Sequence, residues 1–432
     1  MAKTFRPFDR DQMLLMPPSL HEWVPEDHLA RFVDDLIETL DLQAIEDTYT
    51  EERGYPPYHP RMMVAVLLYA YCTGTYASRK IETKLVDSVA FRFLAAGNTP
   101  DFRTISEFRR RHGPALAGLF TQGLRLCRQA GLVKLGRVAI DGTKIKANAS
   151  KHKAMSYGRM REKEAALTRE VEALLRQAEA ADREDDQRYG VDRRGDELPA
   201  ELARRETRLA TLREAQAALE AQARAEATAA GKDPDGARPT DKAQRNFTDP
   251  ESKIQKTSDG FIQGYNAQIA VDGGPAQIIV AQHVTPAAPD VQQLVPAVTA
   301  ITRDLRRKPR AVLADAGYWS EANVEALEAQ DIDVFIATGR RQHGDPPPAA
   351  PRGRPPAGLS AKERMVRKLA TLRGRRLYAR RKAIVEPVFG QIKHARGFRQ
   401  FLRRGLGRVQ QEWALICTAH NLLKLYGAGR VT

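Results

Sequence analysis

The stretch Arg137–Ser150 reads RVAIDGTKIKANAS, and it decides how the rest of the chain can be arranged. Val138, Ala139 and Ile140 are apolar and are followed directly by Asp141. An apolar run of this kind predicts a short buried strand, with Asp141 at its carboxyl end and therefore at the rim of a sheet. Taken alone, such a pattern more often marks a turn or capping aspartate, so a functional interpretation needs a second signal.

A second stretch of the chain repeats this pattern. Arg310–Ser320 reads RAVLADAGYWS, in which the apolar run Ala311–Ala314 ends in Asp315. A helix is predicted over 290–305, where apolar residues recur at helical spacing, and it would form the crossover between parallel strands. Strands joined in this way run in the same direction, so Asp141 and Asp315 are expected at the same rim of the sheet. Two carboxylates held together repel one another and are commonly neutralised by a hard divalent cation such as Mg²⁺.

The segments between and after these two aspartates predict the rest of an α/β unit. The stretches 264–271 and 277–284 are typical of strands, and the turn Asp272-Gly273-Gly274 between them predicts an antiparallel hairpin. Further predicted elements are a helix at 321–330, a strand at 333–337 and a closing helix pair at 378–393 and 406–426. Residues 339–358 are rich in Arg, Pro and Gly and predict a loop, either without fixed structure or in contact with DNA.

Positive charge is concentrated in one tract near the C-terminal end. The whole chain carries 69 Lys and Arg against 54 Asp and Glu, a net charge of +15. Residues 361–410 hold 16 of these basic residues and two acidic ones, a local excess of +14. Such a tract suits a polyanionic partner. One of its two acids, Glu386, lies four residues after Lys382 and seven before Lys393, which places the acid and both cations on one helix face.

The first 135 residues predict a compact all-helical domain. The short helices expected around 76–94 and the start signal at Thr104–Glu107 are compatible with a helix-turn-helix reader of DNA. Basic helices joined by a Gly-containing turn are also common without that function, so both interpretations stay open. The predicted helices of this region are 28–42, 61–71, 78–85, 88–94, 104–111 and 116–127.

Residues 151–245 interrupt the α/β pattern. Ala, Glu, Arg and Leu dominate 151–230, and the segment predicts an antiparallel helical hairpin followed by a polar linker. A solvent-exposed spacer without chemistry is the favoured interpretation. Five leucines follow an a/d spacing that Arg205 and Gln216 interrupt: Leu198, Leu202, Leu209, Leu212 and Leu219.

The remaining composition excludes several classes of function. No run of about 18 apolar residues occurs and the N-terminal residues lack the apolar core of a signal peptide, so a cytoplasmic protein without membrane contact is expected. Cys72, Cys127 and Cys417 lie far apart and predict buried thiols rather than a zinc site.

The sequence resembles the DDE transposases of bacterial insertion sequences over most of its length. AIDGTKIKANAS (139–150) is similar to the family's first aspartate motif, and LADAGYWSEAN (313–323) to the second. RRKAIVEPVFGQIKHARGFRQFLRRGL (380–406) is similar to its glutamate motif. The stretches 59–82 and 102–112 resemble the family's helical N-terminal domain, whereas the hairpin and the proline-rich loop have no counterpart.

The resemblance implies a fold as well as a family. The expected architecture is an α/β RNase H-like mixed sheet flanked by helices, preceded by an all-α N-terminal domain and interrupted by a helical hairpin insertion. The expected boundaries are 1–135 for the helical domain, 136–150 for the first core strand, 151–245 for the hairpin and linker, and 246–432 for the rest of the core with its basic helices.

It also implies an activity, namely metal-dependent cleavage of DNA at the ends of the element and transfer of the 3′-hydroxyl ends to target DNA. Asp141, Asp315 and Glu386 match the acids that hold two Mg²⁺ ions, for which Mn²⁺ can substitute. The implied partners are double-stranded DNA and further copies of the chain, as a homodimer or higher assembly at the nucleoid. The residues expected to contact DNA are Lys382, Lys393, Arg396, Arg399, Arg403 and Arg404, with Thr143, Lys144 and Lys146 as further candidates.

The chain departs from the family's Tyr-Arg-Glu-Lys signature. Lys393 fits the lysine, but Lys382 stands where an arginine is usual and Tyr378 lies one residue too early. Either Arg381 takes the arginine role or the substitution is tolerated. Two other functions are compatible with the sequence. One is an RNase H-like nuclease that cuts DNA without joining ends. The other is an inactive DNA-binding derivative, but the presence of all three acids argues against it.

Overall fold

The N-terminal part of the chain is helical. The structure is a computed structural model that describes residues 19–50, 56–189, 200–257, 260–339 and 349–429, without the side chains of 177–203. The helices predicted for this region are confirmed where they are described. They are α1 (Leu20–Trp23), α2 (Leu29–Thr39), α3 (Gln43–Glu46), α4 (Pro60–Cys72), α5 (Ser78–Asp87), α6 (Val89–Leu94), α7 (Phe102–Arg111) and α8 (Gly113–Gln129).

Helix α4 forms the centre of this helical group. It begins with Pro60 at its first turn, where a missing N–H has no consequence, and the His59 side chain accepts a hydrogen bond from the Arg61 N–H. Every residue from Met63 to Cys72 is buried, which agrees with the apolar run in the sequence.

Strand β1 (Val138–Lys146) is longer than the sequence predicts. The prediction that the strand ends at Asp141 is wrong, because the chain stays extended for five further residues. Its second half pairs with a neighbouring strand from Asp141↔Ile269 to Lys146↔Gly264, and such long-range pairing is not visible in the polar segment itself. Asp141 therefore lies in the middle of β1.

Two long helices follow β1 and pack on each other. They are preceded by β2 (Ala154–Ser156), run as α9 (Tyr157–Tyr189) and α10 (Ala200–Ala229), and are followed by β3 (Gln244–Asn246), which pairs with β2. Ion pairs join Arg213 to Glu164 and Arg205 to Glu170, so the two helices are antiparallel. Leu212 and Leu219 are buried in a small separate core, and Leu209 is buried as well. The predicted seam positions Leu198 and Leu202 lie outside the described side chains.

The remaining elements complete a mixed sheet and the helices that cover it. The predicted hairpin, crossover helix and parallel strands are confirmed, and α13 is an element that the sequence analysis does not predict. The elements are β4 (Lys253–Thr257), β5 (Gly260–Asp272), β6 (Ile279–Thr285), α11 (Leu294–Leu305), β7 (Ala311–Ala314), α12 (Glu321–Glu328), β8 (Asp333–Ile336), α13 (Ala361–Ala370), α14 (Leu372–Gly390) and α15 (Leu406–Gly429).

The sheet has the strand order β4-β5-β1-β7-β8, and β6 also pairs with β5. Strand β5 is antiparallel to β1 and β6, whereas β7 is parallel to both β1 and β8. The parallel ladder between β1 and β7 ends at the pair Ile140↔Ala314. The next residues are Asp141 and Asp315, so the predicted arrangement of two aspartates at one edge is confirmed.

Helix α15 joins the sheet to the N-terminal helices. Asn421 makes both backbone hydrogen bonds of Ile279 in β6, at 2.9 and 2.8 Å. On another side, the thiol of Cys72 in α4 donates to the Ala419 carbonyl, and Gly123 in α8 lies against Leu422. One continuous hydrophobic core runs from α2 through α15 to the sheet. No helix in the described part of the chain is long and apolar enough to cross a membrane.

Candidate active site

Asp141 and Asp315 are the first residues after the parallel β1–β7 ladder, Asp141 within the extended strand β1 and Asp315 at a turn. The Asp141 Oδ1 accepts a hydrogen bond from the Gly142 N–H at 2.8 Å. The Asp315 Oδ1 accepts one from the Gly317 N–H at 2.9 Å, at the start of a short 3₁₀ turn. Each carboxylate is thus oriented by its own backbone and keeps its second oxygen available for other partners.

Arg381 from α14 pairs with Asp141. Its Nη1 lies 2.9 Å from the Asp141 Oδ2, and the two side chains are 10% and 20% exposed. Burial raises the pKa of Asp141 to about 6, with the neighbouring Asp315 acting in the same direction and the Arg381 guanidinium opposing both. The structure therefore brings Arg381 to the acidic edge, whereas Lys382 is exposed.

A third acid, Asp290, lies at this edge and is not singled out in the sequence. Its Oδ1 accepts hydrogen bonds from Asn266 Nδ2 at 2.6 Å and Gln268 Nε2 at 2.7 Å, and Lys144 Nζ lies at 3.8 Å. Burial lowers the pKa of Lys144, an effect that Asp290 opposes most strongly, followed by Asp141 and Asp315. Asp290 is the first residue of the predicted helix and is indistinguishable there from a helix-capping residue, so only its long-range contacts place it at the site.

Two glycines allow these acids to approach one another. A Cβ at Gly142 would collide with the Gln268 amide and would lie 2.8 Å from Asn266 Oδ1 and 2.9 Å from Asp290 Oδ1. A Cβ at Gly317 would lie 3.0 Å from Asp315 Oδ1 and 3.3 Å from Asp290 Oδ2. The site therefore favours glycine at both positions, because a side chain there would crowd the groups around the acids.

Asp290 and Asp315 line a cavity of about 810 Å³. Apolar side chains of α13, including Val366 and Leu369, form another part of its wall, together with Tyr378 of α14. Burial raises the pKa of the Tyr378 hydroxyl, an effect that the nearby Arg381 guanidinium opposes. The acidic edge therefore opens on a space with polar and apolar walls.

Glu386 is not brought to this edge. Its side chain is exposed and makes no hydrogen bond or ion pair with any described residue. Among the described residues, no group of three Asp, Glu, His or Cys side chains is arranged to hold a metal ion. The structure thus brings Asp141 and Asp315 together from the predicted set, whereas Glu386 is exposed on α14.

The basic residues predicted to contact DNA occupy three kinds of environment. Lys382, Arg399 and Arg404 are exposed. Lys393 is partly buried and donates to Thr143 Oγ1 at 2.5 Å and to the Lys144 carbonyl at 3.1 Å. Arg396 is buried with its guanidinium on the Ile416 carbonyl, and Arg403 donates to the Arg109 carbonyl, so both stabilise the junction with the N-terminal helices.

Two family models match the chain. Residues 18–111 match the model described as Transposase domain (DUF772). Residues 236–422 match the model described as Transposase DDE domain, a range that includes Asp315 and Glu386, whereas Asp141 lies outside both ranges. No curated protein and no solved structure gives a significant match. The chain belongs to the DDE transposases of insertion sequences.

Proposed function

We propose that this transposase cleaves DNA at the ends of its insertion sequence and joins the resulting 3′-hydroxyl ends to target DNA in a metal-dependent reaction. The observation that carries the proposal is the position of Asp141 and Asp315, which directly follow the parallel ladder between the adjacent strands β1 and β7. Two carboxylates at such an edge are suited to phosphoryl transfer, in which the protein positions and neutralises a phosphate rather than forming a covalent intermediate.

We further propose that the sheet is an RNase H-like core. The path β6-β5-β1-β7-β8, with an antiparallel first half and a parallel second half, supports this assignment. In an RNase H-like core, β1 and β5 would be the first and second core strands. The segment between them, which contains α9 and α10, would then be an insertion. The proposed domain boundaries remain those expected from the sequence.

The carboxylates of Asp141 and Asp315 fit a Mg²⁺ ion in chemical type, because Mg²⁺ is commonly held by one or two carboxylates together with water and substrate phosphates. A bound divalent ion would polarise the scissile phosphate and stabilise the leaving oxygen. We propose Glu386 as the third metal ligand because it matches the glutamate of the family motif. It lies five residues beyond Arg381 on α14, about 140° around the helix axis, and its side chain is exposed.

The chain's own cations would orient the DNA at this edge. Lys393 is fixed against Thr143 and the Lys144 carbonyl on β1, so its charge lies close to the strand that carries Asp141. Burial lowers the pKa of Lys393, and the nearby Arg399 acts in the same direction. A phosphate placed there would favour the protonated amine and gain a charge-assisted hydrogen bond. Arg381 would neutralise Asp141 until metal and DNA are bound.

The proposed reaction involves duplex DNA at two element ends and at the target. We therefore propose a homodimer or higher assembly on paired ends, acting at the nucleoid. The reaction at Asp141 and Asp315 of one chain requires neither the assembly nor the location at the nucleoid. Both proposals can therefore be tested separately from catalysis.

End joining distinguishes this function from simple nuclease activity. Purified full-length chain is incubated with Mg²⁺, a duplex that carries the element end with flanking DNA, and a supercoiled target plasmid. The proposal predicts cleavage at the element boundary and covalent joining of the 3′ end to the plasmid, with Glu386→Gln inactive in both steps. Cleavage without any joined product would identify a nuclease, and full activity of Glu386→Gln would remove that residue from the metal site.

A further inference from the structure

The segment between α14 and α15 is fixed along the far end of β1. Lys146 and Gln400 form a parallel bridge. The Lys146 N–H donates to the Arg399 carbonyl at 3.3 Å, and the Phe401 N–H donates to the Lys146 carbonyl at 2.8 Å. Residues 399–404, called the ledge below, therefore continue the pairing of the strand that carries Asp141.

Side chains on both partners strengthen this pairing. Gln400 Nε2 donates to the Ala147 carbonyl at 3.0 Å, and Asn148 Nδ2 donates to the Leu402 carbonyl at 2.8 Å. The Phe401 ring is fully buried and packs against Trp413 of α15. The ledge is thus anchored to the core by an aromatic side chain as well as to β1 by hydrogen bonds.

Glu412 of α15 holds the ledge from the opposite side. Its Oε2 accepts hydrogen bonds from the Leu402 N–H at 3.0 Å and the Arg403 N–H at 3.2 Å. The Glu412 side chain is completely buried. Because both faces of the ledge backbone are bonded to fixed elements, its distance from Asp141 is set by the length of β1.

The ledge presents cations to solvent at this fixed position. Arg399 and Arg404 are exposed, and Lys146 beside them is exposed as well. Arg399 Nε donates to the Lys393 carbonyl at 3.2 Å, and Arg404 Nε donates to the Asn148 carbonyl at 2.9 Å. Arg399 Nη2 also lies 2.8 Å from His394 Nδ1. Orienting a guanidinium while leaving it exposed suits recognition of a phosphate.

We propose that Arg399, Arg404 and Lys146 form a phosphate-binding site for duplex DNA at a fixed distance from the cleaved phosphate. Lys146 lies five residues after Asp141 in one continuous strand, which corresponds to about 17 Å. At an axial rise of about 3.4 Å per nucleotide, this distance places the contact within about five nucleotides of the element terminus. The position of the contact rests on the proposed function, because that function defines which phosphate is cleaved.

Methylphosphonate scanning tests the site with the full-length chain. A series of element-end duplexes, each with one uncharged methylphosphonate at a defined distance from the terminal nucleotide, is titrated in EDTA so that no cleavage occurs. The wild-type chain loses affinity about tenfold when the substitution lies at one position within about five nucleotides of the terminus, and substitutions farther inside the duplex have no such effect through this site. Arg399→Ala and Arg404→Ala each lose about tenfold on unmodified DNA and show no further loss at that position, since the same contact is removed.

Arg307→Ala is the matched control. Arg307 is an exposed arginine just before β7, at the opposite end of the parallel strands from Asp315. Its variant retains wild-type affinity and the full effect of the methylphosphonate, whereas Arg399→Lys recovers part of the lost affinity. Each ledge arginine removed also lowers the slope of log affinity against log salt by about one.

Two results would overturn the site: ledge variants that bind like Arg307→Ala, or a methylphosphonate effect that persists at the same position in both of them. Failure of the proposed function would give a different set of results. In that case the wild-type chain gives no cleavage or joining with Mg²⁺, while the position-dependent loss of binding is still found.

Discussion

Arg381 Nη1 lies 2.9 Å from Asp141 Oδ2, so helix α14 is tied by an ion pair to the strand that carries the first proposed metal ligand. Both side chains are largely shielded from solvent, and the guanidinium stands beside the carboxylate that a divalent cation would bind. A divalent cation bound at Asp141 would therefore compete with Arg381 for the negative charge of that carboxylate, and the pair provides a direct test of the proposed metal site.

Arg381→Ala is expected to destabilise the metal-free chain by about 3 kcal/mol, because it leaves a buried carboxylate without its cation. Mg²⁺ should raise the melting temperature more in this variant than in the wild type, since no guanidinium competes, and should have no such effect in Asp141→Asn. Thermal unfolding in EDTA and in saturating Mg²⁺ measures both effects. Arg380→Ala, which removes the exposed neighbouring arginine, should behave like the wild type. An equal Mg²⁺ response in all four proteins would argue against metal binding at Asp141.

Gly142→Ala is expected to disturb the site because its Cβ would displace the Gln268 amide and approach Asp290 within 2.9 Å. The expected cost is about 2 kcal/mol in the free energy of unfolding, with a larger effect on strand transfer. Gly118→Ala on α8 is the control, because no atom lies within 4 Å of the added Cβ. That change should stabilise the chain by about 0.5 to 1 kcal/mol. Denaturant unfolding of the two variants should therefore give shifts of opposite sign, and shifts of the same sign would contradict the packing argument.

Glu412 should make stability depend on pH. Burial raises its pKa to about 7, although Arg109, the two ledge N–H groups and Arg403 oppose this. An acid with a raised folded pKa stabilises the fold below its unfolded pKa, and that contribution is lost as the pH rises through about 7. Between pH 4 and pH 8 the wild-type chain should thus lose about 3 kcal/mol relative to Glu412→Gln, which keeps an oxygen acceptor but does not titrate. Unfolding free energies of both proteins across this range measure the difference, and parallel profiles would show that Glu412 is not the titrating group.

The parallel strands and their two aspartates were predictable because buried parallel strands are continuous apolar runs in the sequence. Ala311–Ala314 is completely buried, and so is Val138–Ile140. The second half of β1 was not predictable, since Thr143 and Lys144 are polar. They are held as a strand by pairing with Ala267 and Asn266, which are more than a hundred residues away in sequence.

For other parts of the structure, the local sequence either contained a recognisable pattern or gave no indication of the contact that forms. Helix α13 begins with a capping box formed by Ser360 and Glu363, a spacing that the sequence displays and that could have identified the helix. The choice between Arg381 and Lys382 was left open because Lys382 stands where the family has an arginine and Arg381 is its immediate neighbour. Only the rotation of α14 against β1 decides that Arg381 meets Asp141. The position of Asp290 likewise depends on amides of Asn266 and Gln268, and no periodicity in the chain indicates them.

The central claim is that Asp141 and Asp315 form the catalytic edge, and strand transfer by the two asparagine variants tests it most directly. Asp141→Asn and Asp315→Asn are compared with the wild type and with Glu325→Gln, which changes an exposed acid on α12. Joining of a labelled element end to a target plasmid in Mg²⁺ should fall at least about a hundredfold in both asparagine variants, because each removes a charged oxygen from the metal site. Binding of the element end in EDTA should stay within about twofold of wild type, and Glu325→Gln should be fully active. Wild-type joining by either Asp141→Asn or Asp315→Asn would contradict the account.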